Sequence, residues 1–148
     1  ALKQPEKAMQ ILDDQEKRIS NPDKKAQFAF VRKSLNPDKA ERDSFFQSLL
    51  QDENREHEPW VDQAMAFLNH PSRQKDALKY ILPALEELQE IQRTGDIFFP
   101  KSWLDNLLKG HSSKAAAAIV GQFLADHPNY PESLKMKILQ SADHLIQE

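Results

Sequence analysis

The five histidines are the first residues that could do chemistry, because imidazole binds metals and transfers protons near neutral pH. Two histidines four residues apart on one helical face are typical of a zinc site, and no such pair occurs here. His57-Glu58 begins like the zinc-protease motif H-E-x-x-H, but Val61 stands where the second histidine belongs. His70 and His127 precede prolines, so we expect both at helix ends, where a ring can contact the last carbonyls. The sequence therefore predicts no metal ligand among its histidines, which are His57, His70, His111, His127 and His144.

Clustered carboxylates are the second candidate, since a buried or paired acid can act as a general acid or base. The clusters at residues 13–16 and 86–90 lie off the apolar positions of their predicted helices, which indicates solvated faces. There is no G-x-S-x-G motif. Three glycines are too few for a phosphate loop or a dinucleotide fingerprint. No catalytic residue is predicted.

The segment 93–100, R-T-G-D-I-F-F-P, lies between two predicted helices and combines charged residues with two aromatic residues. Arg93 is expected to complement the negative end of the first helix, and Gly95 to adopt a positive φ. Alternatively, Arg93 binds a carboxylate in a cavity. Ile97-Phe98-Phe99 is expected to fill the gap between the helices, or alternatively to pack on a neighbouring domain.

Composition limits the elements that could position these residues. The 148 residues favour one domain, 1–148, and the net charge of −3 argues against a nucleic-acid surface. No apolar run approaches the ~20 residues of a membrane span. Cysteine is absent, so disulfides and thiolate sites are excluded. Nine prolines against three glycines suit helix starts better than strand turns.

Apolar spacing predicts an all-α fold, since period-2 strand patterns are absent and the i, i+3, i+4, i+7 pattern recurs. Two stripes in residues 80–111 show it best: Ile81, Leu82, Leu85, Leu88 and Ile91, then Phe99, Trp103, Leu104, Leu107 and Leu108. Aromatic residues on such stripes are expected in the core, with a binding groove as the alternative. Pro83 should kink or divide the long fifth helix. The eight predicted helices cover about 5–19, 22–35, 37–51, 58–69, 72–94, 100–109, 113–126 and 131–146.

An internal repeat bears on how these helices are arranged. The sequence N-P-D-K occurs at residues 21 and 36, and helices of similar length follow each other along the chain. Such units are typical of solenoids built from helix pairs. We therefore predict a superhelix of HEAT-like antiparallel pairs, with a compact helical bundle as the alternative.

The sequence also resembles a known family. The segment L-P-A-L-E-E-L-Q-E-I-Q-R-T-G-D-I-F-F-P-K-S-W-L-D-N-L-L, followed by G-H-S-S and by F-L-A-D-H-P-N-Y-P-E-S-L-K-M-K-I-L-Q-S-A-D, is similar to the C-terminal end of bacterial M1-family zinc aminopeptidases. Upstream, F-A-F-V-R-K-S-L, D-S-F-F-Q-S-L-L and H-E-P-W-V look similar to the same region. The likeness covers roughly residues 20–145. It consists of packing and turn motifs, and the family's zinc motif and its G-x-M-E-N substrate motif are absent.

The resemblance implies a non-catalytic C-terminal fragment of a larger chain. In that family the domain is a superhelix that closes a chamber over the zinc, so we expect it to wall the chamber and limit peptide access. The implied partners are the N-terminal catalytic domain of the same polypeptide and a peptide substrate, and the implied zinc belongs to that missing domain. Candidate interdomain or substrate-chamber contacts are Arg93, Asp96 and Phe98. The alternative is a free-standing helical-repeat scaffold that binds a protein or peptide partner.

Overall fold

The computed structural model describes residues 3–146, and in that range the chain forms ten α-helices and no strand. The prediction of an all-α fold is confirmed, with two more helices than expected. No helix in this range is long and apolar enough to cross a membrane. Short 3-10 turns lie at Arg32–Leu35, Asp52–Asn54 and Pro71–Arg73. The helices are α1 (Lys3–Arg18), α2 (Pro22–Val31), α3 (Lys39–Ser48), α4 (Glu58–Leu68), α5 (Gln74–Glu86), α6 (Leu88–Thr94), α7 (Phe99–Leu108), α8 (Lys114–Asp126), α9 (Glu132–Ser141) and α10 (Asp143–Ile146).

The two N-P-D-K segments begin their helices in different ways. At the first, the side chain of Asn21 accepts the backbone N–H groups of Asp23 at 2.9 Å and Lys24 at 3.1 Å, and Pro22 is the first helical residue. At the second, Asp38 is the cap, because its carboxylate accepts the N–H of Ala40 at 2.9 Å. Helix α3 therefore begins at Lys39 rather than at Pro37. The repeat is one of sequence and not of local structure.

The helices pack in two rows, with successive helices falling in alternate rows. In one row, α4 packs against α2 and α7, and α7 packs against α9. In the other, α5 packs against α8, and α3 reaches α5 through a 2.6 Å hydrogen bond from the Tyr80 hydroxyl to Asp43. The rings of Phe46 and Tyr80 stack beside this bond, with centroids 4.3 Å apart. This alternation favours stacked helix pairs over helices grouped around one axis.

One cluster of buried apolar side chains joins both rows and runs from Phe45 to Ala142. Both predicted stripes of residues 80–108 lie in it, except for Leu82, which is 43% exposed beside α8. Trp103 is fully buried and Phe45 and Phe46 are buried too, which confirms that these aromatic residues belong to the core. Trp60 is half-buried, and its ring lies against those of Phe30 and His57.

The long fifth helix predicted at 72–94 is two helices, α5 and α6, which meet at Glu87. Pro83 lies inside α5 without ending it, and the helix is interrupted one turn later, at Glu87. In an uninterrupted helix the Ala84 carbonyl would accept the N–H of Leu88. Here it accepts the indole N–H of Trp103 at 3.1 Å. The division therefore depends on a contact with α7 as well as on the proline.

Candidate interaction site at the α6–α7 turn

Residues 95–98 join α6 to α7, and the three predicted contact residues lie in or beside this turn. Arg93 is exposed in the last turn of α6 and pairs with Glu90, one turn earlier on the same helix. A hydrogen bond of 3.1 Å from Arg93 Nε to Glu90 Oε1 completes the pair, and it holds the pKa of Glu90 below its usual value. The carboxylate that Arg93 binds is therefore a surface neighbour and not a ligand in a cavity.

Asp96 uses its polar groups to begin α7. Its carboxylate accepts the backbone N–H of Phe98 at 2.9 Å, and its carbonyl accepts the N–H of Phe99 at 3.0 Å. Its own N–H donates to Glu58 Oε2, 3.0 Å away at the start of α4. Asp96 therefore fixes the shape of the turn and its attachment to α4.

Phe98 and Ile97 project from the turn into solvent. Phe98 is 77% exposed and Ile97 is 79% exposed, whereas the next residue, Phe99, is buried with its ring centroid 6.0 Å from that of Trp103. The prediction that all three residues fill the gap between the helices is wrong for the first two. One aromatic ring is enough to fill that gap, because Trp103 already occupies the space behind it.

Gly95 is needed for close packing and not for a left-handed backbone. Its φ is −108° and its ψ is −179°, so the prediction of a positive φ is wrong. A Cβ at this position would lie 2.7 Å from Phe99 Cδ2 and 2.9 Å from the Ile91 carbonyl oxygen. The turn therefore lies too close to α6 and α7 for any larger residue to fit without a shift.

A buried arginine, missed at the sequence level, attaches the α3–α4 loop to α6. Arg55 Nη1 donates to the Leu49 carbonyl at 2.9 Å and to Glu87 Oε2 at 3.0 Å, and its Nη2 lies 3.5 Å from Thr94 Oγ1. Arg55 is buried although its flanking residues are exposed. Apolar periodicity gives no signal for it, because it lies in a polar loop.

The surface around the turn is acidic. Segments 51–58 and 87–98 hold seven acidic and two basic residues, which gives a charge of −5 against −3 for the whole chain. Both arginines are neutralised, Arg55 by Glu87 and Arg93 by Glu90. Among the described residues the remaining five acids form no ion pair within 4 Å. We call them the acidic rim: Asp52, Glu53, Glu56, Glu58 and Asp96.

Burial shifts the pKa values of two further groups in the direction that favours their uncharged forms. Burial between α4 and α7 raises the pKa of Asp62 to about 6, and the charges of Glu58 and Asp105 act in the same direction. Burial lowers the pKa of His111 to about 4, and the nearby His144 adds to this effect. The His111 ring bonds Asn69 Oδ1 through Nε2 at 2.9 Å, where the ends of α4 and α7 meet.

Three other histidines have structural contacts at helix ends. His127 Nδ1 lies 2.7 Å from the Phe123 carbonyl in the last turn of α8, as predicted. His70 instead caps the start of the 3-10 turn Pro71–Arg73, since its Nδ1 accepts the N–H of Ser72 at 3.1 Å. His144 Nε2 lies 3.0 Å from the carbonyls of both Leu108 and His111. Within the described side chains, no three acidic or histidine residues are placed to hold a metal ion.

No family model matches the chain, and neither curated proteins nor solved structures provide a match. The helical fold therefore rests on the coordinates alone. The resemblance of residues 20–145 to zinc aminopeptidases stays a prediction, and so do the activity and the partners that it implies.

Proposed function

We propose that this chain is the non-catalytic C-terminal domain of an M1-type zinc aminopeptidase. In this proposal the zinc and the reaction belong to the N-terminal catalytic domain of the same polypeptide. The helical domain walls the substrate chamber and limits the size of the peptide that enters. Its own residues contribute a surface and a shape, and none of them contacts the reacting bond.

The observation that carries the proposal is the exposed pair Ile97-Phe98. Single exposed apolar residues are common on soluble proteins, but two large neighbours that are each more than three-quarters exposed form a patch. The patch is also held in place, because Asp96 accepts the N–H of Phe98 and the adjacent Phe99 is buried. A turn whose backbone is already fixed loses less entropy on binding than a free loop, which suits it to an interface.

The three predicted contact residues take different roles in this proposal. Phe98 enters the partner, together with Ile97. Asp96 contacts the chain itself and acts by shaping the turn. Arg93 lies at the edge of the contact and is already paired with Glu90, so it contributes little to affinity.

A helical scaffold that binds a peptide or protein is the second candidate, favoured by a different observation. An open groove of about 310 Å³ runs between α5 and α8. Its lining is mostly apolar and includes the exposed Leu82 with Ile119 and Phe123. An amphipathic helix could lay its apolar face in such a groove.

The test of the proposal begins with the purified chain. Aminopeptidase turnover is measured with aminoacyl-p-nitroanilides, and bound zinc with a metal analysis of the dialysed protein. We expect neither turnover nor stoichiometric tight zinc. Measurable turnover, or stoichiometric tight zinc, in the pure chain would contradict the proposal. The reading frame is a second test, since the proposal requires an upstream H-E-x-x-H motif and the scaffold does not.

The third test is Phe98→Ala in the full polypeptide, with activity and domain docking as readouts. We expect weaker docking and altered access of long peptides. Met136→Ala is the matched control, because Met136 on α9 is also exposed and apolar but lies away from the turn. Equal behaviour of the two variants would remove the turn from the interface.

A further inference from the structure

The acidic rim lies beside the turn that carries the exposed apolar pair, so that both can meet the same partner. Glu58 touches the turn directly through the 3.0 Å bond to the Asp96 N–H. The loop that carries Asp52, Glu53 and Glu56 is held beside α6 by the contacts of Arg55 with Glu87 and Thr94. Asp52 acts on Arg93, since its charge helps the Glu90 hydrogen bond to raise the pKa of that guanidinium.

We infer that the turn docks into an apolar pocket bordered by lysine or arginine side chains on the catalytic domain. The inference rests on the proposed function, because it gives the chemistry of the surface that the same turn would meet. Ile97 and Phe98 supply the apolar centre of the contact, and the acidic rim supplies its charged border. That division is the usual one in interfaces, with aromatic anchors inside and charges at the edge.

The charge of the rim excludes the other occupants of an exposed apolar patch. Two copies meeting at this turn would bring two surfaces of −5 together, and like charges in contact are costly. An anionic lipid surface attracts basic segments and is repelled by this one. A basic protein surface with an apolar pocket would be attracted by the acidic rim and would bury the apolar pair.

The basic border affects association more than the strength of the final contact. Exposed ion pairs contribute about 0.2–1 kcal/mol each, while complementary charges steer the approach of two surfaces. The apolar pair then decides how long the contact lasts, because buried aromatic residues carry most of the affinity. Both terms must be present for the inference to hold.

The experiment places a photoreactive residue at the tip of the turn. Phe98→p-benzoylphenylalanine is introduced into the full polypeptide, which is irradiated, digested and mapped by mass spectrometry. A second version also carries Asp52→Lys and Glu56→Lys. The matched control carries Asp14→Lys and Glu41→Lys, which change the net charge equally at exposed positions on α1 and α3.

We expect crosslinks upstream of residue 1, on a surface with lysine or arginine around the attached residue. Charge reversal at 52 and 56 should lower the crosslink yield by about twofold or more, as the loss of two exposed ion pairs implies, and the control should not. Circular dichroism of each variant checks that the helices remain.

The other outcomes separate the inference from the proposed function. Crosslinks to the basic surface of a different protein, with the same charge dependence, would support the partner chemistry and overturn the proposed function. Crosslinks within the polypeptide at a site without basic residues would overturn the inference alone, and so would a yield that charge reversal leaves unchanged. No crosslink at all would overturn both.

Discussion

The indole N–H of Trp103 donates a 3.1 Å hydrogen bond to the backbone carbonyl of Ala84. The two residues are 19 positions apart, and the bond lies where α5 gives way to α6. It satisfies a carbonyl that the helix break leaves without its usual partner, in the centre of the core. It therefore joins α7, the helix after the α6–α7 turn, to the end of α5.

Trp103→Phe should destabilise the domain by about 2–4 kcal/mol, because it leaves the Ala84 carbonyl unsatisfied and opens a small cavity. Trp60→Phe is the matched control, since Trp60 is only half-buried, and we expect a loss below about 1 kcal/mol. Urea unfolding followed by far-ultraviolet circular dichroism measures both. Equal losses would mean that the indole bond contributes nothing.

Alanine substitutions at Gly110 and Gly121 should change the free energy of unfolding in opposite directions. At Gly110 a Cβ would lie 1.9 Å from the Asn69 carbonyl oxygen, so Gly110→Ala forces the backbone apart and should cost about 3 kcal/mol or more. At Gly121, inside α8, nothing lies within 4 Å, and Gly121→Ala should stabilise by about 0.5–1 kcal/mol. Thermal unfolding of both variants checks the prediction. If Gly110→Ala left stability unchanged, the backbones at Gly110 and Asn69 would not be held as close together as this distance requires.

Arg55→Met should destabilise by about 2–4 kcal/mol, because it leaves Glu87 and the Leu49 carbonyl without their shared donor. Arg93→Met removes the same charge from an exposed pair and should change stability by less than about 0.5 kcal/mol. Denaturant midpoints at constant slope give both values. If Arg93→Met lowered the free energy of unfolding as much as Arg55→Met, the burial of Arg55 would not explain the loss of stability.

Acid should destabilise the fold through His111. Its pKa is about 4 when folded against an ordinary value of 6.5, so the unfolded state binds more protons below that value. The free energy of unfolding should fall as pH drops from about 6.5 to 4, by on the order of 3 kcal/mol. His111→Gln keeps a neutral group beside Asn69 and should remove most of this slope.

The control for that measurement is His57→Gln, at an exposed histidine in the α3–α4 loop. It should leave the pH dependence of stability as in the unchanged chain. A slope that survives His111→Gln would assign the acid sensitivity of the fold to other groups.

The helices and their buried faces could be predicted from the sequence because helical periodicity is a local property. Ile81 and Leu85 on α5, and Trp103 and Leu107 on α7, are each four positions apart as one helical face requires, and all four are buried. Proline and cap residues also placed most helix starts within a few residues. The sequence also shows that the known catalytic motifs are absent, because such motifs are defined by the spacing of residues along the chain.

The candidate site was predicted only in part. The segment 93–100 was singled out because its turn residues and aromatic residues are unusual together. Which of its aromatic residues projects could not be predicted, because Phe98 and Phe99 have the same chemistry and Trp103 decides between them. The acidic rim was missed for a similar reason, since four of its five residues lie about 40 positions earlier in the chain than Asp96.

The sequence by itself determined that this protein is helical, which side chains most helices bury and where most helices begin. The tertiary structure decided that α5 and α6 are separate, that Gly95 and Gly110 lie against neighbouring residues, and that Ile97 and Phe98 face solvent beside an acidic rim. The physical reason is the range of the interactions. Periodicity and capping act within one or two helical turns, whereas Trp103 and Ala84, or Glu58 and Asp96, meet only after the rows have packed.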